Sequence, residues 1–199
     1  MTDILPLLDE LQALAREGLH YAQSPYDIER YEKVMKLVTT YYGQALDTPP
    51  ADVRKKLSAE LGSITPKVGA DAAIFDNEGR ILLHHRADDK KWCLPCGWVN
   101  INEEPVDAAV REVREETGLE VRPLELVNVF HRPANAQYGP FSMIAVVYLC
   151  EIIGGTLTLS HEGLDLRYWH IEDMTEWHGI HHKYAVAAKA LWLDKYAKA

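Results

Sequence analysis

The stretch GWVNINEEPVDAAVREVREETGL, residues 97–119, joins a glycine-led loop to a short amphipathic helix. The apolar spacing predicts a helix over residues 105–117 that packs against a sheet. Gly118 follows directly, at a position where a left-handed residue commonly ends a helix. Four apolar residues form the predicted buried face: Val106, Ala109, Val110 and Val113.

Three glutamates stand together on this helix. Glu112, Glu115 and Glu116 are spaced i, i+3 and i+4, so their carboxylates share one helix face. Two carboxylates about 4 Å apart repel by about 4 kcal/mol at an effective dielectric of about 20. A hard dication at the centre relieves this repulsion, and oxygen ligands suit Mg²⁺ or Mn²⁺. Gly97 completes the predicted metal site, because its backbone can approach the ion without a side chain in the way.

Two further charged residues, Glu103 and Arg111, are expected to support the site. A bidentate pair between them would tie the loop to the helix. The alternative is a solvated charged helix, a common use of such residues. That alternative does not require a glycine and a glutamate at set distances upstream.

These residues match the pattern Gly-x5-Glu-x7-Arg-Glu-U-x-Glu-Glu-x-Gly-U, in which U is a bulky aliphatic residue. At average residue usage, a chance match is on the order of 10⁻¹⁰ per window. The chain therefore resembles the Nudix hydrolases. The resemblance implies an α/β fold, the α/β/α sandwich with a mixed sheet. It also implies metal-dependent hydrolysis of a nucleoside diphosphate linked to a moiety X, which yields a nucleoside monophosphate and phospho-X.

The resemblance also suggests roles for individual residues. Glu112 and Glu115 are candidates for proton transfer as well as for metal binding, and Arg111 is grouped with the catalytic candidates. Family members often recruit a further acid from a loop outside the signature, and Glu162 is the candidate here. Arg86, at the end of a predicted strand, is a candidate phosphate ligand. For both Glu162 and Arg86 the alternative is an ordinary exposed charge.

Around this stretch the chain divides into two predicted parts. Residues 1–62 contain three helical patterns, at 3–21, 25–46 and 52–61, with Gly62 as the last stop signal. Residues 65–199 change to strand-like periods and form the predicted Nudix domain. Its turn Asp76-Asn77-Glu78-Gly79 predicts a β-hairpin. The other predicted elements are strands at 124–132, 141–153 and 164–171, and a final helix at 182–197.

Composition narrows the class of protein. The net charge of −9 argues against a general nucleic-acid binder, although an RNA substrate is not excluded. No apolar run reaches the roughly 18 residues that a membrane helix needs. The first residues contain acids and no basic segment, so we do not expect an export signal. We expect a cytoplasmic location.

A Cys-x-x-Cys pair, Cys93 and Cys96, precedes Gly97. A redox dithiol prefers the N-terminus of a helix, whereas the next helix begins near residue 105. A zinc site would need two further ligands, and neither Cys150 nor the pair His181-His182 has a matching spacing. Redox and zinc roles therefore remain alternatives to a plain strand. Relatives usually carry Gly at the position of Cys96.

The substrate is predicted from further resemblance. The N-terminal helices, Trp98 and the segment YLCEIIGG at 148–155 resemble a Nudix subgroup that includes CDP-choline pyrophosphatase. That resemblance implies CDP-choline as substrate, with Trp92 and Trp98 as candidate aromatic contacts for choline. ADP-ribose is the alternative substrate. A Nudix-fold sensor that binds nucleotide without hydrolysis is the alternative outside the enzymes.

The helical extension is too short for a good core of its own. Its apolar residues are therefore expected to pack on the catalytic domain or on a second copy. We expect a homodimer.

Overall fold

A computed structural model of the protein describes residues 4–58, 66–133 and 142–196. The chain divides into two compact units, Met1–Thr65 and Pro66–Ala199. Among the described residues, no helix combines the length and apolarity needed to cross a membrane.

The first unit is helical. Its helices are α1 (Leu5–Tyr21), α2 (Pro25–Ala45) and α3 (Pro50–Ser58). Each begins with or near a proline, whose missing N–H costs nothing in the first turn. The small core of this unit consists of Leu8, Val38, Tyr42 and Val53. The predicted end of the third helix at Gly62 lies outside the described residues.

The second unit contains two sheets and two long helices. Its elements are β1 (Lys67–Ile74), β2 (Ile81–Arg86), β3 (Trp92–Cys93), β4 (Cys96–Trp98), α4 (Pro105–Thr117), β5 (Leu119–Arg132), β6 (Met143–Gly155), β7 (Gly163–Trp169) and α5 (His181–Lys195). The larger sheet has the order β4-β1-β6-β5 and is mixed, because β1 and β6 run parallel. The smaller sheet, β3-β2-β7, is antiparallel.

The two helices cover opposite sides of the sheets. Alternate residues of the strands point to opposite faces, so Ala72 packs toward α4 while Ala73 packs toward α5. Ala108, Ala109 and Val113 of α4 are fully buried on their side. This α/β/α arrangement with a mixed sheet, preceded by helices, confirms the predicted fold class.

The predicted hairpin forms only its turn. The Asp76 amide donates to the Arg80 carbonyl over 3.0 Å, and the Gly79 amide donates to the Asp76 carbonyl. Beyond an isolated bridge between Phe75 and Ile81, β1 and β2 separate into different sheets. The predicted turn is confirmed, but the predicted pairing of its two flanking strands is wrong. Long-range partners decide which strands pair.

The remaining element boundaries also differ from the predictions. Strand β5 begins at Leu119, directly after the α4 cap, five residues before the predicted start at 124. The short strands β3 and β4 occupy the Cys-x-x-Cys segment, which was predicted only as a strand-like approach to Gly97. Phe141, where the predicted strand 141–153 begins, and Ala197, where the predicted last helix ends, lie outside the described residues.

Candidate active site

Helix α4 places the three signature glutamates at graded depths. The helix ends at Gly118, whose φ of 68° is left-handed and therefore suits glycine. The side chain of Glu116 is buried, that of Glu112 is mostly buried, and that of Glu115 is 60% exposed. The three carboxylates thus run from the protein interior to solvent along one helix face.

Gly97 lies directly against Glu112. A Cβ built on Gly97 would stand 2.0 Å from Glu112 Oε1 and 2.1 Å from its Cδ. Any side chain at position 97 would therefore displace this carboxylate. Strand β4 can approach α4 this closely only because residue 97 has no side chain.

Arg111 connects the loop to the glutamates. Its Nε and one terminal nitrogen donate to the two oxygens of Glu103 over 2.7 and 2.9 Å, which is the bidentate pair that the sequence predicts. The other terminal nitrogen donates to Glu112 Oε1 (2.6 Å) and Glu115 Oε2 (3.2 Å), and the guanidinium also reaches the Trp98 carbonyl. Arg111 therefore positions two of the three glutamates and holds the pKa of Glu103 below its ordinary value.

Glu116 is held from the opposite side by the second sheet and by β4. Its Oε2 accepts the Cys96 N–H over 3.0 Å, and its Oε1 lies 3.2 Å from His84 Nδ1. Burial alone lowers the pKa of His84, but contacts with Cys93 and Glu116 outweigh it and raise that pKa to about 10. The raised pKa favours a protonated His84 beside the buried side chain of Glu116.

The donor set fits a hard divalent cation. Burial raises the pKa of Glu112, and the neighbouring Glu116 and Glu115 carboxylates add to this effect against the opposing influence of Arg111. A cation among these groups would relieve both the burial cost and the repulsion. Carboxylate oxygens beside an unobstructed glycine backbone are ligands that Mg²⁺ and Mn²⁺ accept.

A cleft of about 510 Å³ opens in front of the glutamates. Arg86 lines it and pairs with Asp88 through two hydrogen bonds of 2.9 and 2.6 Å. Glu162 also lines it, and its side chain is 64% exposed. The cleft therefore contains most of the site residues proposed from sequence: Arg86, Gly97, Trp98, Glu112, Glu115, Glu116 and Glu162.

Trp92 lies away from the carboxylate cleft. It is 7% exposed in the core, stacks on His85 at 4.6 Å between ring centroids and meets Trp169 edge-on. It does not line either of these two clefts, so nothing in this geometry supports its predicted role as a substrate contact. The sequence showed an aromatic residue close to the signature but not the side of the sheet that it faces. Trp98, in contrast, is half-exposed in the cleft, with Lys67 Nζ 5.2 Å from its ring centroid.

A second cleft of about 250 Å³ adjoins the first and shares Arg86, Cys96, Gly97 and Trp98 with it. Its other polar lining was missed from sequence: Asp71, Arg132, His178 and His181. These residues come from β1, from the end of β5 and from the segment around the start of α5. No short motif joins them, and only the folded chain brings them together.

Cys96 lines this second cleft, and its pair member Cys93 is buried. Cys93 and Cys96 are free thiols, and a hydrogen bond between them lowers the pKa of Cys93 to about 7. Ligand atoms of Asp71, Cys96 and His181 all lie within 4.8 Å of one another. The sequence-based objection to a zinc site was the lack of further ligands near Cys96. Asp71 and His181 remove that objection, because the fold places them beside it.

Comparison with known proteins agrees with this geometry. The family model described as NUDIX domain matches residues 65–189. A second family model, described as a UDP-X-like, N-terminal oligomerisation domain, matches residues 2–57.

Individual proteins resemble the chain as well. One relative is the Bacillus subtilis (strain 168) protein named "Putative ADP-ribose pyrophosphatase YjhB". It is 29% identical over 156 residues, which are 77% of this chain and 74% of that protein. An ADP-ribose pyrophosphatase of Methanocaldococcus jannaschii is 30% identical over 112 residues, 55% of this chain and 64% of that protein. The crystal structure of a UDP-X diphosphatase has a TM-score of 0.59 at 23% identity and covers 96% of this chain and 94% of its own.

Proposed function

Since this chain belongs to the Nudix hydrolase family, we propose that it hydrolyses the pyrophosphate bond of a nucleoside diphosphate linked to a sugar-like moiety X. The products are a nucleoside monophosphate and phospho-X. One observation carries the proposal: Glu112, Glu115, Glu116 and Gly97 line a single cleft that also contains Arg86.

Glu112, Glu115 and Glu116, with the Gly97 backbone, are the proposed ligands of Mg²⁺ or Mn²⁺. When bound, the metal neutralises charge that develops on the phosphate oxygens. Arg111 holds Glu112 and Glu115 in place through its two contacts. Its proposed role is positioning, because the same guanidinium is saturated by Glu103 and the Trp98 carbonyl.

Proton removal from the attacking water is assigned to the solvent-accessible acids of the cleft. Glu115 is the most exposed of the signature glutamates and can reach a water without breaking a buried contact. Glu162 faces the same cleft from the loop before β7 and is the second candidate. Arg86, at the end of β2, is proposed to contact the phosphate that the water does not attack.

The structure favours a sugar-like X over choline. A choline cage needs aromatic faces turned toward the ligand. Trp92 is buried, and the ammonium of Lys67 already lies over the Trp98 ring. A second cation at that ring would be repelled. The names of two relatives point the same way, since they refer to ADP-ribose. CDP-choline is kept as the second candidate, because half-exposed Trp98 still offers one aromatic face.

The helical unit is proposed to form a homodimer. Its match to an oligomerisation domain supports this, and so do the apolar side chains that remain exposed on its helices. On α1, Leu7 and Leu14 are 54% and 62% exposed and lie two turns apart on one face.

A substrate panel tests the proposal. ADP-ribose, a UDP-sugar, CDP-choline, a diadenosine polyphosphate and a 5′-triphosphorylated RNA are incubated with the protein and Mg²⁺ or Mn²⁺, and products are separated by ion-exchange chromatography. We expect a nucleoside monophosphate from a nucleoside diphosphate sugar, with kcat/KM at least about tenfold above that for CDP-choline, a difference of about 1.4 kcal/mol. Preference for CDP-choline would reverse the order of the candidates. Binding without turnover of any compound would contradict the enzyme proposal.

A further inference from the structure

Asp71 lies beside β4 in the larger sheet, where it is the register partner of Cys96. It lies on β1, is 2% exposed, and its Oδ1 finds no hydrogen-bond donor among the described residues. The nearest ring nitrogen is His181 Nδ1, 3.4 Å away. That nitrogen already accepts the Leu94 N–H over 3.3 Å, so it has no proton to give to Asp71. A buried carboxyl oxygen and an unprotonated ring nitrogen therefore face each other, and a metal bound to that nitrogen would displace the Leu94 N–H.

A third donor completes the group. Cys96 Sγ and the ligand atoms of Asp71 and His181 all lie within 4.8 Å of one another. Ligands around a tetrahedral zinc ion lie roughly 3.3–3.8 Å apart, as follows from bond lengths of about 2.0–2.3 Å. Side-chain shifts of about 1 Å would therefore bring the three atoms to bonding distance.

We propose that Asp71, Cys96 and His181 form a binding site for a thiophilic divalent metal, with Zn²⁺ as the best match. This site is separate from the carboxylate site of Glu112, Glu115 and Glu116. The ligand types separate the two, since a thiolate and an imidazole suit zinc while an all-oxygen set suits Mg²⁺ or Mn²⁺.

Charge also fits one dication. A carboxylate and a thiolate carry two negative charges, and a neutral imidazole adds none, so the filled site is neutral overall. A neutral complex avoids the large cost of burying a net charge. All three residues line the second cleft, so a metal bound to them could be reached from it by water or by a group of the substrate.

The proposed site is coupled to the catalytic centre through β4. The Cys96 N–H donates to Glu116, and Gly97 is the next residue. A metal bound to Cys96 Sγ would therefore fix the strand that carries the Gly97 backbone. Zinc binding should raise the Tm by roughly 5–10 °C when free Zn²⁺ is a hundredfold above its Kd.

Cobalt is the diagnostic probe, because a thiolate ligand gives Co²⁺ an intense near-ultraviolet charge-transfer band. The full-length protein is titrated with Co²⁺ alone, then with Zn²⁺ in competition, and bound metal is counted by mass spectrometry after dialysis. We expect one equivalent of Co²⁺ with the thiolate band, displaced by Zn²⁺. A folded wild-type protein that lacks the band would overturn the proposal.

Variants locate the metal. Cys96→Ser and Asp71→Asn are close in shape to the native residues, and each should lose the band or weaken binding at least about a hundredfold, the upper end for loss of a supporting partner alone. Cys150→Ser is the matched control, since Cys150 is a buried thiol in the core cluster that packs against α4. Circular dichroism confirms that each variant is folded. A band that survives Cys96→Ser and disappears in Cys150→Ser would refute the site.

Glu115→Gln separates the two metal sites. We expect it to keep the thiolate band, because Glu115 is not a ligand of the proposed zinc site. Loss of the band in Glu115→Gln would show that the thiolate-bound cobalt depends on the signature glutamates, and the proposal of a separate site would then be wrong. None of these readouts depends on hydrolytic activity, so they stand or fall independently of the proposed function.

Discussion

Gly97 and Glu112 are in direct contact, so that a Cβ on Gly97 would stand 2.0 Å from Glu112 Oε1. The contact joins a strand of the larger sheet to the carboxylate helix, and it leaves no room for a methyl group. The requirement for glycine at position 97 therefore has a steric cause that can be tested directly.

Gly97→Ala should lower kcat by about 10²- to 10³-fold, because the displaced Glu112 can no longer act in the site. Steady-state kinetics with the best substrate of the panel measure the loss. Gly154→Ala is the matched control: the added Cβ there meets only the mobile end of Glu120, at 2.9 Å, so activity should be retained. Equal activity of Gly97→Ala and wild type would contradict the proposed geometry.

Glu115→Gln should lower kcat by about 10²-fold or more with an unchanged fold, since an amide can neither bind the cation as a carboxylate does nor accept a proton from water. Glu120→Gln, at an exposed strand position just beyond the same helix, serves as the control. Activity is measured over a range of Mg²⁺ concentrations. A Glu115→Gln enzyme with wild-type kcat at saturating Mg²⁺ would remove Glu115 from the site.

Arg86→Ala should raise KM by about tenfold or more, because a charged hydrogen bond to phosphate contributes about 1.5–3 kcal/mol. Arg80→Ala is the matched control, since Arg80 also pairs with a nearby aspartate but does not line either cleft. If both variants have the same KM as wild type, Arg86 is an ordinary surface charge.

The Arg86–Asp88 pair also predicts a pH dependence of stability. The hydrogen bond from Arg86 lowers the pKa of Asp88 from 3.8 to about 2. A lowered pKa means that the pair stabilises the fold above the unfolded value, and that this contribution is lost as pH falls from about 4 toward 2. In Asp88→Asn the fall of the urea midpoint over this interval should be shallower than in wild type. Parallel curves would show that the pair contributes nothing to stability.

Replacing exposed apolar residues on the first helix should dissociate the proposed dimer. Leu7→Glu combined with Leu14→Glu places two charges on one exposed face, and we expect the dimer Kd to rise by about a hundredfold or more. Light scattering coupled to size-exclusion chromatography measures the mass. Leu46→Glu, at the end of α2 and also about half-exposed, is the control. A wild-type protein that is monomeric at all concentrations would refute the dimer.

Much of the carboxylate site could be predicted from sequence because its parts are local. The spacing of Glu112, Glu115 and Glu116 on one helix is independent of the rest of the fold. The same holds for the Glu103–Arg111 pair, whose members are eight residues apart and join a loop to the helix that follows it. The helix itself runs over Pro105–Thr117, as the periodicity predicts.

The rest depended on which strands pair and which face each side chain takes. A shift of one residue turns a strand side chain to the opposite face of a sheet, so the burial of Trp92 and the exposure of Trp98 were not readable from their nearness to the signature. Asp71 and His181 meet Cys96 only because β1 pairs with β4 and α5 packs beneath them. By itself the sequence determined the chemistry of one helix. The tertiary structure decided which distant residues share its clefts, because those contacts come from long-range packing that no local pattern encodes.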